Sequence, residues 1–310
     1  MHVWRSLDDL TTQPPVASVV TIGNFDGVHL GHRALLRGVV AAARARGAEA
    51  AVTTFDPHPM TVIHPGSAPP QLTTPAHRLA LLEEQGVDAV LVLPFTRELS
   101  LWSPDEFVTR VLVSGLHAVE VHVGENFRFG HRAAGDVTTL RELGEAQGFQ
   151  VVAVPLTGDT TRWSSTYVRQ SLAEGDVASA AAALGRPHRV EGPVVEGDKR
   201  GRELGYPTAN LDLPQGTAIP ADGVYAGWLT RADGTRLPAA ISIGTNPTFG
   251  GTTRRVEAYV LDRDDLELYG EHVAVDFLAR LRETVRFDGI EPLLAQMALD
   301  VEQARQLTVP

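Results

Sequence analysis

The sequence predicts two folds in series: an α/β domain built on a parallel sheet, then an all-β barrel-like module with a terminal helix. Three observations carry this. Five valine-rich apolar runs alternate with helical periods over the first half of the chain. Gly185 and Pro187 then break a helix and the texture changes. Beyond them, short glycine-punctuated strands lead to one amphipathic helix. The boundary is placed between two segments, 1–185 and 186–310, since a chain of 310 residues is long enough for two cores.

The first strand is "VASVVTIGNF", continuously apolar and so buried on both faces. The helix after it, "GHRALLRGVVAAARARG", puts Leu35, Leu36, Val39, Val40 and Ala43 on one face. Strand "AEAAVTTF", helix "TPAHRLALLEEQG" and strand "VDAVLVLPF" follow. In "SPDEFVTRVLVSGL", Ser103 and Glu106 form a capping-box pattern and Pro104 takes the first helical position. Strand "AVEVHVG", helix "DVTTLRELGEAQG" and strand "FQVVAVP" complete the series. Parallel sheets of this kind bind ligands beyond the carboxyl ends of their strands. In the second segment "GVYAGWLTRADGTRLPAAISIG" reads as a hairpin turning at Ala232, Asp233 and Gly234. "RRVEAYVLD" alternates with period two, "EHVAVDFLARLRETVRF" reads as a long bent strand, and "GIEPLLAQMALDVEQARQL" as the closing helix.

Composition narrows the function classes. There is no cysteine, which excludes disulfides, thiolate zinc sites and a thiol nucleophile, and which suits a cytoplasmic protein. A net charge of −11 argues against general nucleic-acid binding. "MHVWRSLDDL" has no basic stretch leading into an apolar run, and nothing approaches a membrane-spanning length, so neither a signal peptide nor a membrane partner is expected.

The first candidate site is "TIGNFDGVHLGHRALL", where a strand becomes a helix. His29 and His32 sit three apart, spacing that would also suit a metal or a capping histidine. No HExxH accompanies them, and the next candidate ligand, His58, lies across a strand. Gly23, Gly27 and Gly31 favour a third reading, in which Gly23, Asn24, Phe25 and Gly31 form a phosphate-approaching turn at a helix N-terminus. The imidazoles there would stabilise charge on a transferring phosphoryl group. "RWSSTYVR" adds Ser165, Thr166 and Arg169 at the head of another helix, groups suited to a phosphate chain.

HxGH with this later motif resembles the nucleotidyltransferase superfamily. "GNFDGVHLGH", "TFDPHP", "VGENFRFG" and "SSTYVR", in this order, resemble the adenylyltransferase half of the prokaryotic bifunctional riboflavin kinase/FAD synthetase family. The resemblance implies a Rossmann-like domain in which His29 and His32 contact ATP phosphates. It further implies that Asn126, Arg162, Ser165 and Thr166 hold substrates and that Phe55, Pro57 and His58 lie near nucleotide or flavin.

The second site lies in "VEGDKRGRELGYPTANLDL". Gly197 and Gly201 interleave with Lys199 and Arg202 in a basic loop able to close over phosphates. Thr208 and Asn210, two apart in a strand, put hard oxygens on one side, as Mg²⁺ requires. Glu257 lies on the opposite face from Val256 and is expected at a barrel mouth, where a carboxylate would activate a hydroxyl. "RGRELGYPTANL", "GVYAG", "SIGTNPTF" and "VEAYVLD" resemble the riboflavin kinase half of the same family. That implies Thr208 and Asn210 at Mg-ATP and Glu257 as the base for the riboflavin 5′-hydroxyl.

Three residues depart from the family pattern: Glu196, Arg263 and Trp163. The expected activity is formation of FMN from riboflavin and ATP, then of FAD with release of pyrophosphate, by a monomer or weak homo-oligomer acting on small molecules. An HxGH adenylyltransferase for another acceptor and a non-catalytic flavin sensor are the alternatives. Retention of His29, His32, Thr208, Asn210 and Glu257 speaks against the sensor.

Overall fold

The computed structural model describes residues 1–155, 163–197, 201, 204–245 and 254–309. Packing divides the chain into two units, Met1–Pro69 with Pro75–Thr161, and Pro70–Thr74 with Arg162–Pro310.

The first unit is a six-stranded sheet in which every neighbouring pair is parallel. Its strands are β1 (His2–Trp4), β2 (Ser18–Ile22), β3 (Glu49–Asp56), β4 (Ala89–Pro94), β5 (Ala118–Gly124) and β6 (Gln150–Val154), in spatial order β1-β4-β3-β2-β5-β6. All five expected strands are present; β1 is an additional edge strand, three residues long, too short to show a period. From β2 the chain builds outward one way through β3 and β4 and the other way through β5 and β6. The carboxyl ends of β2 and β5 therefore flank the point where strand order reverses, the place where such sheets receive ligands.

Helices α1 (Leu7–Thr12), α2 (Leu30–Arg46), α3 (Pro59–Ile63), α4 (Pro75–Glu83), α5 (Pro104–Phe107) and α6 (Val137–Gln147) accompany the sheet. In α2, Leu36, Val39 and Ala43 are buried while Leu35 and Val40 pack at the margin; Gly47 ends the helix in the left-handed region at φ 64°. The helix expected over 103–116 starts as α5 and passes into a π-helical stretch, Val108–Val113. Ser103 Oγ accepts from the Glu106 amide at 3.1 Å, but the Glu106 carboxylate turns to Arg110 at 2.9 Å and leaves the capping box half-formed.

The second unit is a closed barrel of β7 (His188–Val195), β8 (Thr208–Leu211), β9 (Gly223–Thr230), β10 (Arg236–Thr245), β11 (Arg254–Val260) and β12 (His272–Arg282), all neighbours antiparallel. The hairpin from β9 to β10 turns at 231–235, where Gly234 takes φ 86°. β12 bends through two register shifts, between Phe277 and Ala279 and between Arg280 and Arg282. Helices α7 (Ser165–Glu174) and α8 (Val177–Leu184) share this unit's core: Val168, Leu172, Ala180 and Leu184 cluster with Val190, Tyr225 and Phe277. Packing thus groups 163–185 with the barrel unit, ahead of the change in composition at 185/186, because the buried faces of these helices are apolar and the barrel offers the matching surface. Residues 70–74 join the unit through a parallel bridge of Gln71 to Thr217. Helix α9 (Ile290–Leu307) lies on the outer wall, Ala304 packing with Ala226, Ala240 and Leu261. Arg282 of β12 grips its buried Asp300 through two nitrogens, at 2.9 and 2.7 Å.

Candidate functional site

The first site grows from the end of β2. Residues 23–29 turn the chain from strand to helix, and the turn requires unusual backbone: Phe25 at φ 48°, Gly27 at 86° and Val28 at 39°. Two non-glycine residues held in the left-handed region within four positions mark a conformation imposed by its surroundings, as at ligand-gripping turns. Phe25 explains how it is held. The residue is 1% exposed and its side chain packs with Val28, Leu36 and Val52, which anchors the turn in the core. A Cβ on Gly23 would stand 3.2 Å from the Phe25 ring.

His29 caps α2: its Nδ1 accepts the His32 amide at 3.3 Å. The two imidazoles stack with centroids 3.6 Å apart and planes 21° from parallel, and Phe25 lies 5.0 Å from the His32 ring. Gly31 is the second residue of the helix. His32 as a whole is half-buried, yet its Nδ1 is fully enclosed and has no partner among the described residues. Burial of the ring, then the nearby charges of His29 and Arg78, hold its pKa well below the usual imidazole value. At neutral pH the unliganded site therefore presents a neutral His32 at the positive end of a helix, an environment that favours an arriving anion. Among the described residues no group of three His, Asp or Glu side chains is placed to hold a metal ion.

The end of β3 stands beside this turn. The Asp56–Pro57 peptide is cis, and His58 caps α3 by accepting the Met60 amide on Nδ1 at 3.2 Å. The His58 Nε2 meets the Asn24 amide nitrogen at 3.1 Å. Gly23, Asn24 and His58 share the wall of a cavity of about 890 Å³ with Phe55, Phe95, Trp102, Phe127 and Phe129. Asn126 is exposed in the loop after β5; its neighbours Phe127 and Phe129, not Asn126 itself, line the cavity. Of this aromatic wall, Phe55, Phe127 and Phe129 fall within "TFDPHP" and "VGENFRFG", and Phe95 and Trp102 are the part that sequence reading misses. Phe95 directly follows β4 and Trp102 directly precedes Ser103, neither carries a motif, and only folding brings them to one cavity.

Ser165, Thr166 and Arg169 stand on α7 in the second unit, with Ser164 capping the helix by accepting the Tyr167 amide at 3.1 Å. Arg169 Nε donates to the Pro70 carbonyl at 2.6 Å. Arg162, Lys199 and Arg202 lie outside the described residues.

The second site is on the barrel wall. Val256, Ala258 and Val260 of β11 and Ala209 and Leu211 of β8 fill the interior. By alternation, Thr208, Asn210 and Glu257 face outward, so Glu257 stands on the outer wall and not at the barrel mouth. Glu257 lies directly opposite Asn210 in the ladder, and Thr208 Oγ1 donates to its Oε2 at 3.2 Å. Asn210 is 8% exposed, and its Oδ1 is enclosed with no partner among the described residues. A buried acceptor left open beside a hydroxyl and a carboxylate fits a hard divalent cation. Gly197 closes over this group: a Cβ there would fall 2.4 Å from Asn210 Nδ2. Gly201 accepts the Tyr206 amide at 2.7 Å and shapes the approach to Thr208. Arg263, a departure from the family pattern, pairs with Asp265 at 2.6 Å and lines a 370 Å³ recess with Thr208 and Tyr269.

Comparison with known proteins assigns each half. The FAD synthetase family model matches residues 11–167, and the riboflavin kinase family model matches residues 184–308. The chain is 38% identical over 307 residues to the bifunctional riboflavin kinase/FMN adenylyltransferase of Escherichia coli K12, covering 99% of this chain and 97% of that one. The chain belongs to this bifunctional family. It is an enzyme with both activities, riboflavin kinase and FMN adenylyltransferase. The Pseudomonas fluorescens member is 40% identical over 312 residues, covering 100% of this chain and 99% of that one. A crystal structure described as a macrolide-efflux protein from Streptococcus pneumoniae superposes with a TM-score of 0.86 at 31% identity, over 98% of both chains. Among the described residues no helix here is long and apolar enough to cross a membrane.

Proposed function

We propose that the outer-wall site phosphorylates riboflavin and that the imidazole turn then adenylylates FMN. In the first step the riboflavin 5′-hydroxyl oxygen bonds to the γ-phosphorus of ATP, its proton passes to Glu257, and ADP leaves. The bond from Thr208 holds the Glu257 carboxylate in place for this transfer. Thr208 and Asn210 would hold Mg²⁺, whose charge would offset that of the phosphate chain when bound. In the second step an FMN phosphate oxygen bonds to the α-phosphorus of another ATP, and pyrophosphate leaves. His29 and His32, at the positive end of α2, stabilise the charge on the transferring group, and no covalent enzyme intermediate is required.

The observation that carries the flavin assignment is the cavity opening at the imidazole turn. Its aromatic lining of Phe55, Phe95, Trp102, Phe127 and Phe129 suits a flat tricyclic ring, while Asn24 and His58 add polar groups to the lining. The net charge of −11 supports small-molecule substrates over nucleic acid. A cytoplasmic location and a monomer or weak homo-oligomer complete the reading. The test is to incubate the protein with riboflavin, ATP and Mg²⁺ and resolve the flavins by chromatography. FMN should form first and FAD follow; recovery of riboflavin alone overturns the reading.

A further inference from the structure

Arg78 of α4 is 6% exposed and sits one turn before the core residues Leu81 and Leu82. Its Nη1 donates to two main chains at once, the Asn24 carbonyl at 3.2 Å and the Phe55 carbonyl at 3.4 Å. Asn24 follows β2 and Phe55 belongs to β3, so one nitrogen joins the turn that leads into His29 and α2 to the end of β3, three residues before His58. The Thr54 hydroxyl donates to the same Asn24 carbonyl at 3.1 Å, and the Asn24 amide meets His58 at 3.1 Å. Arg78 Nε is enclosed, with no partner among the described residues.

A guanidinium removed from water and held by carbonyls is a poor way to stabilise a fold; an apolar side chain would fill the same place at lower cost. Asp26 and Asp56 offset part of its desolvation through space. Retaining the charge makes sense if the two turns must be held in fixed register for chemistry. We propose that Arg78 is the positioning residue of the adenylyl-transfer site, tying the turn after β2 to the end of β3 and so setting His32 and His58 relative to one another. This rests on reading the imidazole turn as that site. The charged and titratable groups around His32 are then His29 and Arg78, with Asp26 and Asp56 acting on Arg78.

Arg78→Met keeps much of the volume and removes charge and donors; Arg78→Lys keeps the charge without the two-carbonyl reach. The rate of FAD formation from FMN and ATP should fall about 10²-fold in both, with a smaller change in KM for ATP, because misplacing reacting groups costs turnover before binding. Conversion of riboflavin to FMN by the same samples reports that the second unit is folded and should be unchanged. Circular dichroism and histidine NMR report the first unit. The His32 ring signal should titrate higher in Arg78→Met and stay near its original midpoint in Arg78→Lys. An unchanged FAD rate in either folded variant overturns the proposal, as does an unchanged His32 midpoint in Arg78→Met. If Arg78→Met does not fold, Arg78→Lys decides: a normal rate overturns, a reduced rate with folded spectra supports. Failure of the underlying reading shows separately, as absence of FAD from the unaltered protein.

Discussion

The two proposed sites would handle phosphate by opposite means. The imidazole turn in the first unit depends on backbone forced into the left-handed region at Phe25 and Val28 and on a ring buried until it is neutral. The barrel site rests on ordinary strand alternation: Thr208, Asn210 and Glu257 project from relaxed ladders on one face. The difference teaches where each site is vulnerable. The first is sensitive to whatever holds its turn, including residues far away in sequence such as Arg78. The second is sensitive to the side chains themselves and to the glycine that lies against them.

The strongest way to break the comparison is to cross the two sites. Glu257→Gln should lower FMN formation by about 10²–10⁴-fold, the usual worth of a general base, while FAD formation from supplied FMN continues. His32→Ala should do the reverse, losing about 10²–10³-fold in FAD formation and sparing the kinase. Loss of both activities from either change in folded protein would show that the sites do not act independently. Next in size is Gly197→Ala. The new Cβ would collide with the Asn210 amide, and displacing that group should cost about tenfold in kinase rate and raise the Mg²⁺ concentration needed. A kinase titration against Mg²⁺ that matches the parent would mean that Asn210 is not a ligand.

The smallest expected effect sharpens the electrostatic half. Folding lowers the His32 pKa, so between the folded and unfolded values the unfolded chain binds more protons. That contribution to stability is complete above about pH 6.5, the ordinary imidazole value, and is lost as pH falls toward the folded pKa. Without nucleotide, the melting temperature should therefore drop more steeply from pH 7.5 to 5.5 in the parent than in His32→Asn. Parallel curves would refute a buried, neutral His32.

Much of this was legible before folding. Alternating apolar runs identify the parallel strands because a strand covered on both faces must be apolar throughout. HxGH after such a run places two imidazoles at a helix start, and Thr208 with Asn210 declares a shared face through period two. The three-residue β1 carries no period to read, and Trp102 and Phe95 carry no motif. Arg78 reads in sequence as one more polar position on an amphipathic helix; its burial follows from what packs around α4. Glu257 was placeable on the face opposite Val256, but which face is the barrel's inside depends on closure.

The amino-acid sequence by itself determined the order of elements, the two motif sets and the faces on which their side chains fall, because these follow from local geometry with periods of 2 and 3.6 residues. The tertiary structure decided the strand order around β2, the packing of α7 and α8 with the barrel, the aromatic wall and the burial of His32 and Arg78. Those depend on contacts between residues distant along the chain, and no local period encodes them.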